Sequence, residues 1–241
     1  MEREKRIPVL EIFGPTIQGE GMVSGQKTIF IRTYGCDYRC LWCDSKFTWD
    51  ASQKPKLLTL DEIIQKVNLL SQGGVSHVTI SGGNPALLSS LDDLIDHLHE
   101  EGYKVGLETQ GSIWQDWFKK IDDLTLSPKP PSSGMNQDIN AFTQIVENLS
   151  ASNVNYSIKV VVFNSDDFNF AKHIHKVFPG HKHQWYLQVG NTEVDKNKDI
   201  SLQLLKKYEW LCQKVISDKD MHFVRPLPQL HTLIWGNKQG V

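Results

Sequence analysis

The chain has 241 residues, 39% of them hydrophobic and 22% charged, which is enough length and apolar content for a sizeable core. A net charge of −2 is too balanced for a protein that grips nucleic acid mainly through phosphates. No apolar run approaches the roughly 18 residues of a membrane span, and the charged residues 1–6 lack the apolar stretch of a signal peptide, so a cytoplasmic protein without membrane or nucleic-acid partners is expected.

In chain order, the β-branched and apolar residues 28–33 read as a strand running into a loop that holds three of the four cysteines. Residues 59–71 read as a helix. Thr59 and Glu62 form a capping box, and Leu60, Ile63, Ile64 and Val67 make one stripe. A strand at 77–81, a helix at 91–100 closed by Gly102, and a strand at 104–109 follow. A short helix near 114–119 precedes a strand at 124–127, then a helix at 139–149 and a strand at 156–163. The pattern continues with a helix near 168–177 and a strand at 185–189, and closes with a helix at 202–217 and a strand at 222–224.

Strands alternating with helices predict a parallel α/β architecture with right-handed crossovers. A closed eight-stranded barrel needs about 250 residues, so a partial (β/α)6-type barrel with outer helices is expected. It should form one domain over residues 1–241, with the cysteine loop at about 34–50. The site should gather at the carboxyl ends of the strands.

Cys36, Cys40 and Cys43 have the spacing C-x3-C-x2-C. Disulfides are rare in the cytoplasm and would not be packed this way, so the loop reads as metal ligation. A structural zinc site needs four ligands, and a His or Cys212 would have to complete it. Three thiolates on a [4Fe–4S] cube instead leave one iron open for a small chelating molecule. Cys212, in a helical pattern after Trp210 and Leu211, reads as a buried small hydrophobe. Tyr34, Tyr38 and Trp42 either shield a cluster or belong to the core.

Further polar motifs end later strands. Gly82-Gly83-Asn84-Pro85 follows one strand, and Glu108-Thr109-Gln110-Gly111 and Ser127-Pro128-Lys129 close the next two. Lys159 and Gln188 lie within strands. Each alone has a plain structural alternative, a turn or an ion pair. His173, His175, His181 and His183 read as a solvated surface around a Pro179-Gly180 turn, and His97 and His99 as exposed helix positions.

The cysteine spacing after a strand resembles the radical S-adenosylmethionine (SAM) superfamily. Residues 13–21 (Phe-Gly-Pro-Thr-Ile-Gln-Gly-Glu-Gly), Arg32, Cys43-Asp44-Ser45, Glu108-Thr109-Gln110-Gly111 and Ser127-Pro128-Lys129 together resemble, within it, the 7-carboxy-7-deazaguanine synthase family. The resemblance implies SAM on the open iron and a 5′-deoxyadenosyl radical that takes hydrogen from C6 of 6-carboxy-5,6,7,8-tetrahydropterin. Ring contraction to 7-carboxy-7-deazaguanine follows, with loss of ammonia, and 5′-deoxyadenosine gives a hydrogen back so that SAM is regenerated. It implies a SAM side made of Gly83, Asn84, Glu108, Ser127, Pro128, Lys129, Lys159 and Gln188. Asn84 stands where the superfamily has Glu, and Glu108 is expected to supply the missing charge.

The substrate side comprises Ile17, Gln18, Gly19, Glu20, Arg32, Ser81 and His231. Gln18 and Glu20 suit the amide and amidine edge of a pterin, and Arg32 suits its carboxylate. Ser45 corresponds to the hydroxyl ligand of Mg²⁺ in relatives, and a hydroxyl oxygen suits that ion. A flavodoxin or ferredoxin-type reductant and a homodimer are implied too. The alternatives are a glycyl-radical activase and a non-enzymatic iron–sulfur or zinc protein with a closed four-ligand site.

Overall fold

The computed structural model describes residues 5–178, 184–193 and 199–240. Its strands are β1 (Ile7–Ile17), β2 (Lys27–Thr33), β3 (Lys56–Leu58), β4 (His77–Gly82), β5 (Lys104–Thr109), β6 (Asp123–Leu126), β7 (Tyr156–Val162), β8 (Gln184–Val189) and β9 (Val224–Leu227). The helices are α1 (Leu60–Ser71), α2 (Leu91–Glu100), α3 (Ile139–Ser150), α4 (Ser165–Val177), α5 (Ser201–Ser217) and α6 (Leu230–Trp235). One sheet holds the strands in the order β3-β1-β2-β4-β5-β6-β7-β8-β9. From β2 to β9 every neighbouring pair is parallel, so seven strands form the curved α/β body. These are the seven strands that the alternation predicts, in an open rather than closed sheet.

The sequence pattern does not reveal β1 and β3. β1 pairs antiparallel with β2 and shifts register between Val9 and Glu11 and between Phe13 and Thr16, around Pro15. Those shifts break the two-residue alternation that marks a strand. β3 is three residues long, too short to show a period. β9 begins two residues after the expected start and contains Pro226, which an edge strand tolerates. The expected helix near 114–119 is a 3₁₀ turn at Asp116–Lys120. α4 starts at Ser165, where Asn164 accepts a hydrogen bond from the Asp167 amide.

Local chemistry explains the helices. Thr59 accepts from the Glu62 amide while the Glu62 carboxylate receives the Thr59 N–H, so the predicted capping box is present on α1. Leu91, Leu94, Ile95 and Leu98 of α2 and Phe142, Ile145, Val146 and Leu149 of α3 are buried at helical spacing. Every residue of β7 is buried, as expected for a central parallel strand covered on both faces. Among the described residues no helix is long and apolar enough to cross a membrane.

Several expected environments differ. Cys212 is half-buried on α5, beside Tyr208, rather than in the core. His97 and His99 are half-buried, and His99 meets Asp122 at 2.9 Å because α2 packs beside β5. His173 is exposed, but His175 is buried edge-on against Trp185, 5.0 Å between ring centres, and burial lowers its pKa. His181 and His183 lie outside the described residues.

Thr59→Ala removes one half of the capping box and should cost about 1 kcal/mol. Urea unfolding checks this, and the slope of the transition should not change.

Candidate active site

The parallel strands deliver their polar ends to one end of the sheet. β2 runs into the cysteine loop, and β4 ends in Gly82-Gly83 directly against it. A methyl group on Gly83 would stand 2.1 Å from the Gly35 carbonyl oxygen and 2.7 Å from Cys36 Cβ. Only glycine permits this approach. The Asn84 amide then donates to Gly35 O at 2.8 Å and ties β4 to the loop. On the other side, Leu41 N donates to Ser133 O, and Trp42 donates to Ser132 and packs against Phe163. Trp42 is therefore built into the wall of the loop. The Lys129 ammonium lies 5.9 Å from the Trp42 ring centre and 3.2 Å from Ser127 Oγ.

Cys40 is buried and Cys36 and Cys43 are half-buried. Burial pushes all three thiols up, Cys40 to about 11, so metal ligation is what would hold them as thiolates. A tetrahedral zinc with Zn–S bonds of about 2.3 Å needs sulfurs roughly 3.8 Å apart. Among the described residues the one metal-sized group with all ligand atoms within 4.8 Å is Glu20, Asp44 and His231, not the cysteines. Cys212 stands beside Tyr208 on α5. Three local thiols, with Cys212 remote on α5, fit a cluster that keeps one iron open.

Asn84 is wholly buried, and its side chain is fully engaged. Its carbonyl accepts from Thr109 Oγ1 at 2.7 Å and from the Ala86 amide at 3.2 Å. Its amide donates to Asp37 Oδ1 at 2.8 Å and to Ser112 Oγ at 3.1 Å. Glu108 and Asn84 are not neighbours across β5. Consecutive strand residues face opposite sides: Thr109 faces Asn84, whereas Glu108 meets Lys159 at 2.6 Å.

Lys159 is fully buried between Glu108 and Glu20. Burial alone would lower its pKa, but the two carboxylates outweigh it and raise the value, so Lys159 is a fixed ammonium and not a base. Burial raises the Glu20 carboxyl, yet Lys159, His231 and hydrogen bonds from Lys159 and Gln229 override it and hold Glu20 at about 2. Gln188, also buried, receives the Gly21 N–H and donates to the Gly19 and Pro228 carbonyls. It clamps the N-terminal turn to the C-terminal segment. A methyl on Gly19 would stand 2.2 Å from His231 Nδ1, so glycine there lets His231 close over the turn.

The remaining expected residues fall nearby. Arg32 pairs with Glu11 at 2.6 Å and donates from Nη1 to Ser45 Oγ at 3.3 Å. Ser45 in turn donates to Asp44 Oδ1 at 3.0 Å. The Ser81 hydroxyl is buried with no hydrogen-bond partner, and Gln18 is buried at the mouth beside half-buried Ile17. Pro128 is buried behind Ser127. Sequence reasoning missed Asp37, Asp44, Ser112 and Gln229 as site residues. Asp37 and Asp44 carry no spacing signal of their own, and Gln229 joins only because Gln188 and Gly19 dock the C-terminal segment.

The Radical SAM superfamily model matches residues 30–199. The 7-carboxy-7-deazaguanine synthase of Bacillus subtilis is 55% identical, covering 98% of this chain and 99% of the relative. That of Bacillus cereus is 51% identical with the same coverage. Among solved structures, QueE from Escherichia coli aligns with a TM-score of 0.69 and 25% identity over 94% of this chain and 95% of its own. Streptococcus suis SuiB bound to S-adenosylmethionine shares the fold, with a TM-score of 0.59 and 14% identity over 83% of this chain and 50% of its own.

The lowered Glu20 carboxyl has a consequence for acid stability. Its contribution is complete above the ordinary value of 4.5 and is lost as pH falls towards about 2. Urea unfolding at stepped pH should show wild type losing stability through this window faster than Glu20→Gln. Equal losses in both proteins would contradict the assignment.

Proposed function

This chain belongs to the radical SAM superfamily and, within it, to the 7-carboxy-7-deazaguanine synthases, and on that premise we propose how its residues divide the reaction. It is a radical SAM enzyme that contracts the ring of 6-carboxy-5,6,7,8-tetrahydropterin to 7-carboxy-7-deazaguanine, with release of ammonia, in deazapurine biosynthesis. Its cofactors are a [4Fe–4S] cluster and SAM, which together supply the radical that activates the substrate.

Cys36, Cys40 and Cys43 hold the cluster in this reading. Their shared loop, backed by Gly83, is the observation that carries it. Ser127, Pro128 and Lys129 line the SAM side, where the Lys129 charge suits a carboxylate. Lys159 keeps Glu20 ionised and holds the Glu20 and Glu108 carboxylates in place rather than moving a proton itself. Glu20, Gln18 and the backbone of Ile17 and Gly19 take the amide and amidine edge of the pterin, closed by His231. The unpartnered Ser81 hydroxyl supplies one more hydrogen bond to the ligand. Arg32 takes the substrate carboxylate beside Ser45.

Ser45 would hold Mg²⁺, which would neutralise charge on the substrate carboxylate. Asp44 and Glu20 supply further oxygens nearby, which is the donor chemistry this ion prefers. A flavodoxin or ferredoxin supplies the electron at the cysteine loop, where Leu41 is 70% exposed. The whole chain acts as one radical SAM domain in the cytoplasm and as a homodimer. The exposed Leu202, Leu205 and Ile216 of α5 are consistent with such pairing.

An anaerobic assay of the reconstituted, reduced protein with SAM and 6-carboxytetrahydropterin, read by mass, tests the function. Wild type should form the ring-contracted product, and Cys36→Ala, Cys40→Ala and Cys43→Ala should each form none. Cleavage of SAM with the pterin left intact would overturn the substrate. A cluster-loaded protein that neither binds nor cleaves SAM would overturn the enzyme class.

A further inference from the structure

We propose that Asp37, rather than Asn84 or Glu108, is the acid that receives the amino group of the SAM methionine in this chain. The inference rests on the reading that the cysteine loop holds the cluster and SAM. An amine brought to that cluster carries N–H donors, and an anionic acceptor beside the first cysteine is the strongest partner for them.

Asn84 cannot serve. An amide side chain offers two acceptor sites and two N–H donors, and all four are used inside the protein, on Thr109, Ala86, Asp37 and Ser112. Glu108 cannot serve either, because it faces Lys159 from the opposite side of β5. Asp37 meets each requirement. It follows Cys36 directly and is exposed. Its Oδ1 is pinned by the Asn84 amide at 2.8 Å and by Gln110 Nε2 at 2.5 Å. Gln110 also reaches Cys36 Sγ at 3.7 Å, which fixes the carboxylate to the sulfur's neighbourhood.

Both pinning groups are neutral amides, so they orient the carboxylate without cancelling its charge. Its Oδ2 has no protein hydrogen bond among the described residues, and no cation pairs with it. One oxygen is held and the other is free, as an acid awaiting a cationic or amine ligand should be. Asn84 and Gln110 are thus positioning residues. The asparagine takes the place of a direct acid by holding a neighbouring one.

The test uses full-length protein reconstituted to equal iron content, with SAM dissociation constants measured by anaerobic equilibrium dialysis. Asp37→Asn keeps an oxygen for both amides and removes only the charge. It should weaken SAM binding by about tenfold or more, the size expected for one charged hydrogen bond. A SAM analogue lacking the amino group should bind wild type and Asp37→Asn alike. Unchanged SAM affinity in Asp37→Asn would overturn the proposal, as would an equal weakening of the amine-free analogue. Iron-loaded wild type that binds no SAM would overturn the underlying reading of the site, and the assignment with it.

Discussion

The site depends on one backbone contact, the passage of Gly83 across Gly35 and Cys36 with no room for a side chain. That contact joins the end of β4 to the loop leaving β2, two parallel neighbours whose register is set by the sheet. Once it is made, Asn84 bonds Gly35 through its backbone and Asp37 through its side chain, so the chain on both sides of Cys36 is fixed. The other wall comes from the segment after β6, where Ser132 and Ser133 receive hydrogen bonds from Trp42 and Leu41. The cysteine loop has little regular structure of its own. Its geometry is borrowed from the ends of the strands around it.

A second constraint lies deeper, where Lys159 sits between Glu20 and Glu108. A lone buried ammonium would be very costly, and two carboxylates offset that cost. Glu20 comes from the turn after β1, Lys159 from β7 and Glu108 from β5, so the ion pairs tie the N-terminal arm across the strand ends. Gln188 and Gln229 extend the tie to the C-terminal segment. The N-terminal arm and the C-terminal segment are therefore held together by one polar network at the strand ends.

Much of this was legible in the sequence because it rests on local rules. The seven parallel strands follow from alternation, and the start of α1 from Thr59 and Glu62. The edge strands were hidden, since the bulges of β1 and the shortness of β3 leave no period to read. Long-range partnerships were hidden as well. Nothing in a sequence says that Thr109 and not Glu108 turns towards Asn84, because the choice depends on strand parity and sheet order together. Asp37 looked like one more variable residue inside a C-x3-C loop. It becomes a site residue only when Asn84 and Gln110, remote in sequence, converge on its oxygen.

The central claim is that the SAM side and the pterin side face one another across this strand end, close enough for hydrogen to pass between them. The most direct test is an incubation of the reduced holoenzyme with SAM and 6-carboxytetrahydropterin carrying deuterium at C6, with recovered SAM and 5′-deoxyadenosine analysed by mass. The account predicts deuterium in the 5′-methylene of SAM or in the methyl group of 5′-deoxyadenosine. SAM turnover with product formed and no deuterium in either molecule would contradict it.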